Sequence, residues 1–263
     1  MQRTIKIWLF WLLLIVFSNA YSQTPAQVVD LQTRPGVTQR MLVLSPPDPK
    51  ATVILFSGGD GGLAIQSDGS LRRGNGNFLV RSRQLFADQG FLVEVVDAPS
   101  DRQGGFFLEG FRQTPEHVTD IKAAIAWARD HAKAPVWLVG TSRGTQSAAY
   151  VATELTGADG PDGLVLTSTI LSDPRGRPVT AMPLDRLHIP VIVAHHKDDA
   201  CRLCSYSQLP QLMDRLTNVP RKQLLTFTGG QSRGDPCEAF AHHGYNGIES
   251  DVVNQISAAI LQK

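Results

Sequence analysis

The fold is decided by the stretch Ala134-Pro-Val-Trp-Leu-Val-Gly140-Thr141-Ser142-Arg143-Gly144-Thr145. An apolar run ends at Gly140, and small residues that are compatible with a helix follow Gly144. The pattern predicts a strand, a sharp turn with Ser142 at its apex, and a helix. The two glycines leave room for so tight a turn, and the strained backbone lifts the serine hydroxyl clear of the sheet. The start of the helix lies beneath Ser142, where free N–H groups favour a developing negative charge.

The composition is that of an ordinary globular protein. Of the 263 residues, 42% are hydrophobic and 19% are charged, which is enough apolar material to bury a substantial core. The formal net charge of +1 argues against a dedicated nucleic-acid binder, because such proteins carry a clear basic excess. We therefore expect one globular domain with no nucleic-acid partner.

The N-terminus has the pattern of a secretory signal peptide. Arg3 and Lys6 form a positive segment, residues 7–17 are apolar, and small residues up to Ala20 suit a signal peptidase. The apolar run is shorter than the roughly 20 residues that a spanning helix needs, which favours cleavage over an uncleaved anchor. We expect residues 21–263 to form one exported domain, in an oxidising compartment and without stable membrane association.

Strand-like apolar runs alternate with helix-like amphipathic stretches along the rest of the chain. This alternation predicts an α/β fold, with a mostly parallel sheet and helices on both faces. In such sheets the functional side chains gather at the carboxyl ends of the strands. In detail, we expect a polar lead over residues 21–39, an edge strand over 40–44 and a helix over 78–89.

Three predicted strand ends carry unusual side chains. The first is Ser142; the second is His195-His196-Lys197-Asp198-Asp199, after the strand at residues 191–194; the third is the loop of residues 237–245, which contains His242-His243-Gly244-Tyr245. A reactive serine needs a base to accept its proton, and that base needs a carboxylate to orient it. The chain supplies these residue types in the order Ser, Asp, His.

Together these motifs resemble the α/β-hydrolase superfamily, and the resemblance covers almost all of the chain after residue 20. It implies that Ser142 is the nucleophile, Asp199 the acid and His243 the general base. It also implies an oxyanion hole made by the backbone N–H of Arg143 and one from the glycine loop.

The resemblance leaves two neighbouring residues as alternatives. The family often shows His-Gly-x-x-Asp at the acid, which favours Asp199, but His196 replaces the glycine and leaves Asp198 open. His243 is preferred over His242 because it precedes a glycine and an aromatic residue, as in the family pattern.

The glycine loop Ser57-Gly-Gly-Asp-Gly-Gly62 follows a predicted strand. The resemblance implies that Gly59 or Asp60 supplies its oxyanion N–H, because glycines let backbone N–H groups face a substrate. The loop also satisfies a relaxed dinucleotide-binding pattern. No helix opens directly after it, and no suitably placed acid follows on a second strand, so nucleotide binding is disfavoured.

The three cysteines lie close in sequence to these aspartates and histidines. The residue types alone also fit a zinc site, but export favours a disulfide. If the acid and histidine loops adjoin, as a triad requires, a Cys201–Cys237 bridge would link them and leave Cys204 free. Pairing of Cys204 with Cys237 is the alternative. Elsewhere, we expect Asp97 to cap a turn and His117 to lie on the surface.

The sequence thus predicts an exported serine hydrolase. Its substrate would be a small-molecule or polymeric ester-like acyl compound, cleaved through an acyl-enzyme without a metal or cofactor. Only residues 172–188 connect two of the later strands, so we expect no large lid. An acyltransferase with the same triad and a non-catalytic binding protein of this fold are the alternatives, and the oligomeric state is left open.

Overall fold

A computed structural model of the chain describes residues 24–262, and the predicted signal peptide lies outside that range. One sheet contains eight strands. They are β1 (Ala26–Arg34), β2 (Val37–Leu44), β3 (Ala51–Phe56), β4 (Phe91–Val96), β5 (Val136–Thr141), β6 (Gly163–Thr167), β7 (Val191–His196) and β8 (Lys222–Phe227). Their order is β1-β2-β4-β3-β5-β6-β7-β8. Strands β3 to β8 run parallel, and β1 and β2 add an antiparallel extension at the β4 side.

Helices cover both faces of the sheet. They are α1 (Phe78–Arg81), α2 (Arg83–Asp88), α3 (Pro115–Ala132), α4 (Gly144–Glu154), α5 (Leu209–Arg215) and α6 (Glu249–Leu261). Helices α3, α4 and α5 contribute to one apolar core, and α1, α2 and α6 to the other. The predicted α/β fold with a mostly parallel sheet is confirmed. Within residues 24–262, no helix has both the length and the apolar character that crossing a membrane requires.

The central strands are buried on both sides, as expected for a covered parallel sheet. All six residues of β3 are buried, and they alternate between the two cores. Ile54 and Phe56 face α3 and α4, whereas Val53 and Leu55 face the other layer. The carboxyl ends of β3, β5, β6 and β7 therefore meet along one edge of a rigid sheet.

The N-terminal part differs from the prediction. The expected polar lead contains strand β1, and β2 is longer than predicted and is not at the edge, because β1 pairs with it. Gly36 turns the chain between them with a positive φ of 71°. Strand β1 is half-exposed and rich in polar residues, so its apolar signal is weak. The Pro35-Gly36 turn signal was the feature that could have revealed the hairpin.

Helix ends follow local sequence rules, with one interruption. Thr114 caps α3 by accepting a hydrogen bond from the N–H of His117, and Pro115 occupies the first helical turn, as predicted. The helix expected over residues 78–89 is divided into α1 and α2 by Ser82, whose ψ of 1° departs from helical geometry.

The expectation that His117 lies on the surface is wrong. Its side chain is 1% exposed and packs edge-on against the rings of Phe56 and Phe111. Its spacing from Ile121 and Ile125 places it on the buried face of α3, and that periodicity was the overlooked signal. Burial lowers the pKa of His117 to about 3, so the imidazole is neutral at neutral pH.

Candidate active site

The predicted elbow is present between β5 and α4. Ser142 has a φ of 52°, in the left-handed region that is unusual for a residue with a side chain. A Cβ on Gly140 would lie 2.6 Å from the carbonyl oxygen of Gly144, and a Cβ on Gly144 would lie 2.1 Å from that of Phe56. Both glycines are therefore required by close backbone approach. The N–H of Ser142 donates to Thr167 O at 3.0 Å, which ties the strained residue to the end of β6.

Asp199 and His243 form a buried pair. Nδ1 of His243 lies 2.9 Å from Oδ2 of Asp199 and donates to it, while Oδ1 accepts the N–H of Cys201 at 2.9 Å. Among residues 24–262, Nε2 of His243 has no hydrogen-bond partner. The aspartate thus fixes the tautomer in which Nε2 carries a free lone pair. His243 and Ser142 line the same cleft.

The neighbouring alternatives are arranged differently. The carboxylate of Asp198 is exposed, and its backbone N–H donates to Nδ1 of His196 at 3.0 Å. The ring of His242 stacks on that of His196, with centroids 4.3 Å apart. Neither Asp198 nor His242 lines the cleft that contains Ser142. The geometry favours the pair of Asp199 and His243.

Two residues hold the histidine loop: Tyr245, the aromatic residue of the predicted motif, and Ser168, which the sequence did not single out. The hydroxyl of Ser168, at the end of β6, donates to His243 O at 2.6 Å. The buried Tyr245 hydroxyl donates to Ala194 O at 2.7 Å and accepts the N–H of Ser168. Both contacts join the loop after β8 to the carboxyl ends of β6 and β7. The partners of both hydroxyls are backbone groups, so the sequence could not reveal these contacts, and Ser168 carries no motif of its own.

A second buried histidine, His195, lies behind the aspartate. Its Nε2 donates to Cys204 O at 2.7 Å and is 3.5 Å from Oδ2 of Asp199. Burial lowers the pKa of His195, so it is neutral at neutral pH. His195 therefore packs against the carboxylate without neutralising its charge.

The glycine loop after β3 lies beside the elbow. A Cβ on Gly58 would be 3.0 Å from Cβ of Ser142, so the two segments are in van der Waals contact. Within the described residues, the backbone N–H groups of Gly59, Asp60 and Arg143 donate no hydrogen bond. All three residues line the cleft with Ser142. These are the positions at which the sequence predicted oxyanion donors.

Asp97 holds the far end of this loop, as the prediction of a turn-capping role requires. Its carboxylate accepts the N–H groups of Leu63, Ala64 and Ile65 at 2.8 to 3.3 Å. It also accepts the N–H of Ala98. A carboxylate with four backbone donors is fixed in place and is not available to orient His243.

Several solved structures are similar to this chain. A dienelactone hydrolase from Anabaena variabilis has a TM-score of 0.58 and 13% identity, with 91% of this chain and 96% of that chain covered. A Pyrococcus furiosus esterase has a TM-score of 0.63 and 13% identity, covering 92% and 94%. A Xanthomonas campestris serine hydrolase described as lacking a lid has a TM-score of 0.55 and 16% identity, covering 90% and 98%. No protein-family model and no curated protein matches the sequence.

The chain has the α/β-hydrolase fold. The three neighbours align over nearly their whole lengths, although the low identities limit the likeness to the fold. In this α/β-hydrolase fold, residues 168–190 connect β6 to β7 and contain only short 3-10 turns within the described part of the chain. The expectation of a site without a large lid is confirmed.

The cysteines link two loops of the α/β-hydrolase fold. Cys201 and Cys237 form a disulfide, and Cys204 is free and buried. The bridge joins the acid loop after β7 to the histidine loop after β8, as the sequence suggested.

Two groups of side chains bring possible metal ligands within 4.8 Å of one another in the described residues. The first contains Cys201, Cys204 and His243, but Cys201 is oxidised in the disulfide and offers no thiolate. The second contains His196, Asp198 and His242, but both ring nitrogens of His196 already bond to the backbone. Neither group fits a metal centre.

The cleft in front of Ser142 has a volume of about 960 Å³. Phe240, which is 51% exposed, stands on its wall next to Arg81. The guanidinium of Arg81 pairs with Glu249 and donates to Gly244 O, which anchors the histidine loop to α6. The Arg143 side chain pairs with the buried carboxylate of Asp173 at 2.8 Å.

Proposed function

We propose that this chain is a serine hydrolase that cleaves an ester-like acyl substrate, either a small molecule or a polymer. The observation that carries the proposal is the cleft shared by Ser142, on a strained elbow, and His243. Nδ1 of His243 is bonded to Asp199, and its Nε2 has no partner in the part of the chain that the structure describes. The named activities of the structural neighbours, an esterase and a dienelactone hydrolase among them, agree with this proposal.

The proposed reaction uses the chain's own side chains and water. His243 Nε2 accepts the proton of the Ser142 hydroxyl as its oxygen attacks the acyl carbon. Asp199 stabilises the imidazolium that forms. His243 then gives the proton to the leaving alcohol, and a water molecule activated by the same imidazole hydrolyses the acyl-enzyme.

The negative charge that develops on the acyl oxygen needs hydrogen-bond donors. We assign this task to the backbone N–H of Arg143, at the start of α4, and to an N–H of the glycine loop at Gly59 or Asp60. Such donors are fixed before the reaction and contribute more in a site that excludes water.

The proposed setting is an oxidising compartment outside the cytoplasm. The Cys201–Cys237 disulfide agrees with this setting, and the N-terminal pattern up to Ala20 supplies a route of export. Sequencing the N-terminus of the exported protein tests this part: a mature chain starting at Tyr21 supports it, and an intact Met1 contradicts it.

Labelling with a fluorophosphonate probe tests the nucleophile. We expect the wild type to be labelled and Ser142→Ala to be unlabelled and inactive on short-chain p-nitrophenyl esters. Ser172→Ala is the matched control, because the Ser172 hydroxyl donates to the carbonyl of Arg202, a residue of the cleft wall, and makes no other hydrogen bond among the described residues. Equal labelling of wild type and Ser142→Ala would overturn the assignment of the nucleophile.

A further inference from the structure

A buried arginine lies behind the glycine loop, and the reaction described above does not use it. Arg112 precedes α3 and is 6% exposed. Its Nη2 donates to the carbonyl oxygens of Ser57 and Gly59, both at 3.1 Å. Its Nη1 donates to Oγ of Ser147 on α4 at 3.0 Å. One guanidinium therefore joins the glycine loop to the helix that follows the elbow.

The charge of Arg112 has no carboxylate partner within 4.0 Å among residues 24–262. By contrast, the partly buried Arg34 pairs with both Asp101 and Asp120. Burial lowers the pKa of Arg112 to about 9, which still leaves it charged at neutral pH. A buried, uncompensated charge costs folding free energy, and such costs are concentrated at functional sites.

The contacts of Arg112 decide which way the loop's peptide groups face. In a trans peptide the C=O and the N–H point in opposite directions, and the described chain has no cis bonds. Because Nη2 holds the carbonyls of Ser57 and Gly59, the N–H groups of Gly58 and Asp60 point away from the guanidinium. The loop lines the Ser142 cleft, whereas Arg112 lines only the neighbouring cavity, and this placement agrees with N–H groups that face the Ser142 cleft.

The remaining carbonyls of the loop are also engaged. Gly58 O accepts from the N–H of Gly61 at 3.2 Å, and Asp60 O accepts from that of Leu108 at 2.9 Å. All four carbonyls from residue 57 to residue 60 thus have donors. The N–H groups of Gly58, Gly59 and Asp60 donate to nothing within the described chain. The carbonyls of residues 57–60 thus hold this part of the loop. Among the described residues its N–H groups at positions 58–60 are left free, whereas those of Gly61 and Gly62 bond within the loop.

Gly61 makes this arrangement possible. A Cβ at Gly61 would lie 2.6 Å from Nη2 of Arg112, so any larger residue would displace the guanidinium. Gly61 also has a φ of 80°, which a residue with a side chain rarely adopts. The guanidinium of Arg112 therefore occupies space that is open only because residue 61 has no side chain.

We propose that Arg112 is a positioning residue for the oxyanion hole. By holding the carbonyls of Ser57 and Gly59, it keeps the N–H of Asp60, one of the two loop donors named above, facing the acyl oxygen of the substrate, with the N–H of Gly58 oriented alongside it. This inference rests on the proposed serine hydrolase function and deepens it. Donors that are already oriented pay no reorganisation cost when the charge develops, so their benefit appears in the transition state.

The first test is a kinetic comparison of Arg112→Met and Arg112→Lys with the wild type, using a short-chain p-nitrophenyl ester. We expect Arg112→Met to lower kcat about 100-fold, as losing an oxyanion donor does. KM should change by less than about threefold, because ground-state binding does not use the hole. The rate of fluorophosphonate labelling should fall in parallel with kcat. Arg112→Lys keeps the charge and most of the side-chain length, so we expect it to fold, with the wild-type KM and a kcat between those of the wild type and Arg112→Met. It replaces Arg112→Met in the test if that variant does not fold.

A rescue experiment separates positioning from a merely structural role. In Arg112→Ala, millimolar guanidinium should raise kcat about tenfold, while urea at the same concentration should not. Arg129→Met is the matched control, since Arg129 also donates to a backbone carbonyl, that of Gly160, but at the other end of α3. It should lose stability and keep the wild-type kcat.

The outcomes separate the two proposals. If the wild type hydrolyses esters and is labelled at Ser142, while folded Arg112→Met keeps the wild-type kcat, the role of Arg112 is overturned and the hydrolase function stands. If the wild type neither hydrolyses esters nor reacts with the probe, the proposed function fails and this inference fails with it.

Discussion

At the scale of single residues, the side chain of Asp199 connects the histidine loop to the acid loop. One of its carboxylate oxygens orients His243, and the other fixes the backbone at Cys201, beside the disulfide. The adjacent Asp198 has the same chemistry but is exposed, and it does not line the cleft. A shift of one position in the sequence therefore separates a residue that contacts His243 from a residue on the surface.

Replacing each aspartate by asparagine tests this difference. We expect Asp199→Asn to lower kcat by about 10³- to 10⁴-fold, because the amide favours the wrong tautomer of His243. Asp198→Asn is the matched control and should stay within about threefold of the wild type, as surface charges contribute little. Steady-state kinetics on the same ester measures both. A large loss in Asp198→Asn with none in Asp199→Asn would reverse the assignment of the acid.

At the scale of elements, the turn from β5 to α4 depends on backbone contact rather than on side-chain chemistry. Gly144 touches the carbonyl of Phe56 at the end of β3, so two neighbouring strands and one helix meet at a point where no Cβ fits. This contact brings the glycine loop and Ser142 together. Packing between these elements thus explains the two glycines of the motif Gly140-Thr141-Ser142-Arg143-Gly144.

Gly144→Ala should therefore destabilise the fold as well as the site. We expect a loss of about 2 kcal/mol or more in the free energy of unfolding, because the added Cβ would lie 2.1 Å from a carbonyl oxygen. Chemical denaturation gives this value. Gly104→Ala is the control: nothing lies within 4 Å of its added Cβ, and its stability should be almost unchanged. An equal and small effect in both variants would contradict the packing argument.

Strands β3 to β8 were predictable from the sequence, and so was the order Ser, Asp, His of the candidate site residues at their ends. Long apolar runs and glycine turns are local signals. Strand β1 was missed, since its residues are half-exposed and its pairing with β2 is decided by tertiary contact. Arg112 was also missed: its partners are carbonyl oxygens more than 50 residues away, and backbone partners leave no residue-type signal.

At the scale of the whole molecule, the disulfide joins loops that follow the last two strands of the sheet. The bridge closes a loop with a sequence separation of 36 residues. In the chain-entropy model, a loop of this size stabilises the folded state by about 4 kcal/mol. The same bridge holds the segment that carries His243 close to the segment that carries Asp199.

Removing the bridge should affect stability and activity together. We expect Cys237→Ser to lower the free energy of unfolding by about 2 to 4 kcal/mol and to reduce kcat, since the histidine loop loses an anchor. Thermal unfolding and ester kinetics, each with and without reductant, measure the two effects. Cys204→Ser is the control, because Cys204 is in no disulfide; its response to reductant should match that of the wild type. A Cys237→Ser variant with wild-type stability would show that the bridge is dispensable.

The pH dependence of stability follows from the buried His117. Its folded pKa of about 3 is below the unfolded value of 6.5, with burial as the main cause and the charges of Arg112 and Arg34 as further ones. The unfolded chain therefore binds more protons between pH 6.5 and pH 3, so stability is complete above pH 6.5 and is lost as the pH falls. At pH 5 the loss amounts to about 2 kcal/mol.

His117→Met, which cannot titrate, should lose less stability than the wild type between pH 7 and pH 5, measured by urea unfolding at each pH. The buried Glu94, whose pKa is raised by burial, is present in both proteins and cancels in the difference. His188→Met, at an exposed histidine, should run parallel to the wild type. Parallel curves for wild type and His117→Met would contradict the prediction and would mean that His117 is solvated enough to take up a proton in the folded state.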